Sequence, residues 1–300
     1  MKESNTKYKS ELCWICNSSN LSLIKEEGSR EPLSAEDFKI TDMEYGLTAN
    51  LYLCNDCSFQ QCSDVEEITK FYEDMEDKEY IETSKARSIQ AKKILKQINK
   101  KVKSGRLLDI GAGSGILVEE AINFGFNSEG LEPSKWLCKI AREKGLNLHN
   151  TVLPSKKLKG KFDVITLIDV IEHVTDPVEL LKNINNLMVR NGLGVLVTPD
   201  VGSFASRLMR FRWWHYRTAH VCYFNLKTID LALKQSGLKR ISITRPSWSF
   251  PISYLIKRIT QYIPLFKYLP IPKFIKTLTI SLNLFDSYLV LFTKEKEDVS

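Results

Sequence analysis

Three hundred residues, 43% of them hydrophobic and 10% aromatic, suit one domain of ordinary size with an appendage and exclude a disordered chain. The net charge of +7 is unevenly held: residues 205–276 carry 14 lysines and arginines against the single acid Asp230, and the rest of the chain is net −6, so one segment favours anionic partners. The charge-free runs PSWSFPISYLI (246–256) and ITQYIPLF (259–266) fall short of the ~20 residues that span a bilayer, and the polar start MKESNTKYKS lacks the apolar core of an export signal. A cytoplasmic protein is expected.

The first 63 residues form a module bracketed by CWIC (Cys13, Cys16) and CNDC (Cys54, Cys57). Paired CxxC motifs in a chain without an export signal read as metal ligands rather than disulfides. Four thiolates close a tetrahedron around one Zn²⁺ with no open position, so the predicted zinc is structural. The intervening 17–53 then folds as an insertion, and Cys138 and Cys222 are core residues. A helical linker over 64–104 follows, acidic and tyrosine-bearing at first (FYEDMEDKEY) and amphipathic over 84–101.

From residue 106 strands and helices alternate. RLLDI (106–110), SEGLE (128–132), NLHN (147–150), KFDVITLI (161–168) and GVLVTP (194–199) are predicted strands. Helices are predicted over 114–124, 134–144 and 176–192, the last with Asp176 as cap, Pro177 in its first turn and Gly192 as its stop. Strands separated by helices of this length predict an α/β, doubly wound, mostly parallel sheet. Residues 202–224 are irregular, aromatic and basic; a helix (226–236) and a strand (238–244) follow. Short amphipathic helices are expected over about 246–286, then a last strand, SYLVLFTK (287–294).

The turn LLDIGAGSG places Gly111, Gly113 and Gly115 at alternate positions, where positive φ and close backbone approach are available. The third glycine falls one place early for a dinucleotide fingerprint, and Glu132 ends the next strand, where an acid can accept from both hydroxyls of a ribose. Together with GLEPS and FDVITLIDVIEHVTDP this spacing resembles the class I S-adenosylmethionine (SAM)-dependent methyltransferases, over roughly 106–244. The resemblance implies a Rossmann-like seven-stranded sheet beside the small zinc ribbon. It places Asp109, Gly111, Ala112, Gly113 and Gly115 at the methionine end of SAM, Glu132 and Pro133 at the ribose, Val152 and Leu153 at the adenine, and Ile168 and Asp169 on the methyl side.

The N-terminal ribbon and the tyrosine-bearing segment resemble a bacterial methyltransferase group associated with sugar or surface-polysaccharide modification. That likeness implies Tyr72 or Tyr80 over the SAM pocket, and AHVCYF points to His220 with Tyr223 on the acceptor side. His220 is the candidate general base and His173, in IEHV, a positional partner. Arg207, Arg210, Arg212 and Arg217 suit phosphate, so the expected acceptor is a phosphate-bearing sugar or lipid-linked glycan. The alternatives are an RNA methyltransferase using the basic aromatic segment and a SAM-binding protein without activity. The segment 247–276 reads either as a lid over the acceptor or as a contact with the inner face of the membrane.

Overall fold

β4 (Gly105–Ile110), β5 (Phe126–Glu132), β6 (Leu148–Asn150), β7 (Phe162–Ile168) and β8 (Met188–Pro199) run parallel because α4 (Ile116–Asn123), α5 (Lys135–Glu143) and α6 (Pro177–Leu187) carry the chain back between them. This computed structural model describes residues 11–28, 32–63, 68–263, 265, 272, 275 and 278–295. β13 (Ser287–Lys294) inserts antiparallel between β8 and β10 (Leu238–Thr244), giving the order β10-β13-β8-β7-β4-β5-β6. The chain leaves β4 first toward β5 and later returns on its other side as β7, so a crevice opens at the carboxyl ends of β4 and β7.

Both faces of the sheet are covered, which is why its central strands are apolar without alternation. Leu107, Val164, Val195 and Val197 pack on one face with Ile94, Leu95 and Ile98 of α3 (Ser84–Asn99). Leu108, Ile165, Leu167 and Leu196 pack on the other with α6 and α8 (Leu226–Gln235), and this layer continues into Ile15, Phe59 and the cysteines of the N-terminal module.

β1 (Leu21–Lys25), β2 (Leu51–Cys54) and β3 (Gln60–Cys62) form an antiparallel sheet that takes its fourth strand, β9 (Cys222–Tyr223), from beyond β8. Gln60 pairs with Tyr223 and Gln61 with Cys222, so the N-terminal module and the acceptor-side segment share one hydrogen-bonded ladder. Between them lie α1 (Thr69–Glu73) and α2 (Lys78–Glu82).

Two expectations change. The helix from Pro177 ends at Leu187, and Met188 already pairs with Phe162, the register then shifting before Val164 meets Leu193. Gly192 is therefore a close-packing glycine in an irregular strand, with Met188 where its Cβ would be, and not a helix stop. The segment 246–286 begins and ends in strands, β11 (Trp248–Pro251) pairing with β12 (Thr279–Leu282) around α9 (Ile252–Tyr262). Proline-broken helices expected over 264–277 fall mostly outside the described residues. No helix among the described residues is long and apolar enough to cross a membrane.

Candidate active site and metal centre

At the tip of β4 the three glycines have φ of +69°, +55° and +77°, a run that side chains resist. A Cβ at Gly111 would lie 2.6 Å from Val170, one at Gly115 2.7 Å from Leu146, and one at Gly113 would meet the Tyr80 hydroxyl. The turn is closed by Glu132 at the neighbouring tip: its Oε2 accepts from the Gly113 N–H at 2.8 Å and its Oε1 from the Ser134 N–H at 2.9 Å. Burial pushes the Glu132 carboxyl up to about 7, only partly offset by those two donors. Asp109 is pushed up to about 7 for the same reason while accepting from the Thr166 hydroxyl at 2.6 Å.

The remaining residues of this cradle are spread. Ala112 is buried, its N–H on the Leu131 carbonyl, and the Pro133 carbonyl accepts from Asn150. Val152 is 42% exposed, whereas Leu153 leans on the core. Tyr80 is buried against the glycine turn, with the Arg87 guanidinium 4.0 Å over its ring. Tyr72 goes elsewhere: its hydroxyl is 2.6 Å from His173 Nδ1.

β7 delivers the acceptor side. Ile168 ends β7 at the centre of the sheet, partly buried against the core, and Asp169 follows with φ +54°. Asp169 is exposed, and desolvation pushes its carboxyl up to about 7, opposed by the Arg87 charge and reinforced by that of Asp286. Glu172, His173 and His220 bring one ligand-type atom each to within 4.8 Å of one another. Glu172 is 1% exposed, accepts from the Thr198 hydroxyl at 3.0 Å, and is held well above the usual carboxylate range by burial and then by Asp169. His173 Nδ1 lies 2.7 Å from the Ala219 carbonyl, which can only accept, so this nitrogen carries the hydrogen and Nε2 keeps its lone pair.

The His220 ring stands edge-on to His173 at 4.6 Å, with Nδ1 unpartnered. Burial, followed by the neighbouring histidine and Arg217, holds His220 well below its ordinary value; burial and Arg217 bring His173 down to about 3. Both shifts favour the neutral imidazole. The Tyr223 hydroxyl donates to the His220 carbonyl at 2.9 Å, fixing the backbone that carries the ring.

Four predicted residues that the arginine motif grouped do not act together. Arg207, Arg210 and Arg212 are exposed, but Arg217 is 8% exposed and donates to the carbonyls of Lys39 and Ile40. Sequence reasoning passed over Glu172 and Thr198; the signal was a carboxylate beside His173 at the end of an apolar strand, where an unpaired charge is costly.

In the N-terminal module all four cysteine sulfurs lie within 4.8 Å of one another, with Cys13–Cys57 and Cys16–Cys54 both at 3.5 Å. A tetrahedron with Zn–S of about 2.3 Å has edges of about 3.8 Å, so this donor set fits zinc. Cys62 is not part of it: its thiol packs 3.9 Å from the His220 carbonyl.

The family described as a methyltransferase domain matches residues 83–243, leaving the cysteine module and the Tyr72–Tyr80 segment outside it. The chain is 35% identical over 101 residues to the ubiquinone biosynthesis O-methyltransferase of Caulobacter sp. (strain K31), covering 31% of this chain and 40% of that protein. It is 32% identical over 168 residues to the protein of the same name from Ruegeria pomeroyi, covering 49% and 67%. A SAM-dependent methyltransferase from Archaeoglobus fulgidus superposes with a TM-score of 0.50 at 18% identity, over 73% of this chain and 100% of that one. A structure of the Haloferax volcanii Trm112 methyltransferase activator in complex with a methyltransferase gives 0.51 at 12% identity, over 72% and 95%.

The chain thus spans about 40% of the Caulobacter relative. These names overturn the expected sugar or glycan acceptor and its link to polysaccharide biosynthesis, because the relatives are named for O-methylation in ubiquinone biosynthesis. A match to the methyltransferase domain over more than half its length, with the Rossmann-like seven-stranded sheet to carry it, makes this chain a member of the methyltransferase-domain family.

Proposed function

We propose that the chain moves the methyl group of SAM onto a hydroxyl oxygen of a small aromatic acceptor, with a structural zinc in the cysteine module. The observation that carries this reading is the His173–His220 pair packed edge to face beside the buried Glu172, one strand tip away from the glycine turn and Glu132. When bound, SAM supplies an electrophilic methyl carbon. As the acceptor oxygen's lone pair forms the new bond, its proton has to leave, and His220 is placed to take it. Burial raises the Glu172 carboxyl and so favours its uncharged form, which offers His220 little stabilisation as imidazolium. His173, held by Ala219 and Tyr72, fixes the face that His220 packs on. The His215 ring, stacked 5.8 Å from His220 and backed by Trp213, is a flat surface that suits an aromatic acceptor.

Labelled SAM offered with a panel of phenols and catechols tests the reading. The expected result is labelled O-methyl product in step with S-adenosylhomocysteine, from protein holding one zinc ion per chain. Label on nitrogen or carbon, or on none of the panel, overturns the acceptor class.

A further inference from the structure

β9 begins two residues after His220 and is held on two sides. On one edge Gln60 and Gln61 of β3 pair with Tyr223 and Cys222, and the Cys62 N–H donates to the Val221 carbonyl at 2.7 Å. On the other side the Val221 N–H donates to the Glu172 carbonyl at 2.9 Å, and the Cys222 thiol donates to the Ile171 carbonyl at 3.3 Å. The stretch that carries His220 is thus pinned between the cysteine module and the segment that carries Glu172 and His173. Its place fixes the spacing of the two imidazoles.

A strand of two residues makes too few ladder bonds to hold a register by itself, so its stiffness has to come from β3. Gln61 supplies the tie. It is 1% exposed, its Oε1 accepts from the Trp14 N–H at 2.9 Å, and its Nε2 donates to the Leu12 carbonyl at 2.9 Å. Leu12 and Trp14 flank Cys13, so one side chain joins the first cysteine pair to the strand beside His220. A carboxamide offers both the acceptor and the donor that these two backbone groups need. The second cysteine pair grips the far end of the strand. Phe59, two residues after Cys57, meets Phe224 edge-on at 5.0 Å, and the Ser58 carbonyl accepts from the Asn225 side chain at 3.2 Å.

We infer that Gln61 is a positioning residue for methyl transfer: it carries the order of the four-cysteine site to β9 and so sets His220 against His173. This rests on the reading of His220 as the group that takes the acceptor's proton. β3 and the cysteines lie outside the matched family domain and β9 lies within it, so the acceptor side leans on this chain's own addition.

Amide hydrogen exchange on the full zinc-loaded chain saturated with S-adenosylhomocysteine, wild type against Gln61→Leu, tests it. The variant is expected to keep one zinc ion and to bind S-adenosylhomocysteine within about twofold, while the Cys62 and Val221 amides exchange about tenfold or more faster. On a phenol that the wild type methylates, its kcat should fall about tenfold or more with KM for SAM within about twofold. Chelating zinc from the wild-type chain should loosen the same two amides, and this arm serves if the variant does not fold. Unchanged exchange at both amides, loss of zinc or of cofactor affinity in the folded variant, or loosened amides with unchanged kcat overturns the positioning role. The exchange arm needs no acceptor: loosened amides in a chain that methylates no phenol keep the tie between the cysteines and β9 and sink the hydroxyl reading alone.

Discussion

The cofactor side and the acceptor side of this molecule are built in opposite ways. The first is built on the tips of two adjacent parallel strands, β4 and β5, whose glycine turn and Glu132 lie within about thirty residues of chain. The second draws on β3, Tyr72, Glu172–His173, Thr198 and 213–223, scattered over more than one hundred and fifty positions. A tight local turn limits what the cofactor side can become. The acceptor side is a meeting of loops, and its chemistry depends on how they pack.

Separate substitutions should divide these two halves cleanly. The largest effect is expected from His220→Ala, which should lower kcat by about 10²–10⁴-fold while S-adenosylhomocysteine affinity stays within about twofold. Loss of both in that variant would mean that the two halves are one. Next, Glu132→Ala should weaken S-adenosylhomocysteine by about 100-fold, the worth of two hydrogen bonds to a charged group, with kcat at saturating SAM little changed.

Wild-type protein should show a smaller form of the same dependence with pH. Only ionised Glu132 accepts from both ribose hydroxyls, and its folded carboxyl titrates at about 7, so affinity at pH 6 should be about a tenth of that at pH 8. The ligand-free fold runs the other way. A carboxyl raised above its ordinary 4.5 keeps its proton longer when folded, so its stabilising contribution is present below that value and lost as pH rises through about 7. Titration by calorimetry and thermal melts across this range reads both slopes, and a flat affinity profile would remove Glu132 from the ribose role.

The glycine turn and the carboxylate that closes it were legible in the sequence. GAGSG and Glu132 are separated by a single helix and strand, and the two CxxC pairs meet although 37 residues intervene. The sequence carried the acceptor side poorly. Arg217 looks like its neighbours Arg207 and Arg212 in the chain, yet it alone is buried, because the carbonyls of Lys39 and Ile40 take its N–H groups. Glu172 reads as an ordinary acid until Thr198 and two histidines enclose it. The helix assigned through Gly192 failed for a related reason: a pairing with β7 outweighed a local stop signal.

What the chain by itself determined was the alternation of parallel strands, the glycine bend, the acid beside it and the four thiols, because each follows from periodicity or from groups close in sequence. Only the tertiary structure decided that β3 would add to β9 and that the distant carbonyls of Lys39 and Ile40 would take up the Arg217 guanidinium. Burial is what changes a polar group's charge and leaves its donors unpaired, and burial is a property of everything packed around a residue, not of its neighbours in the chain.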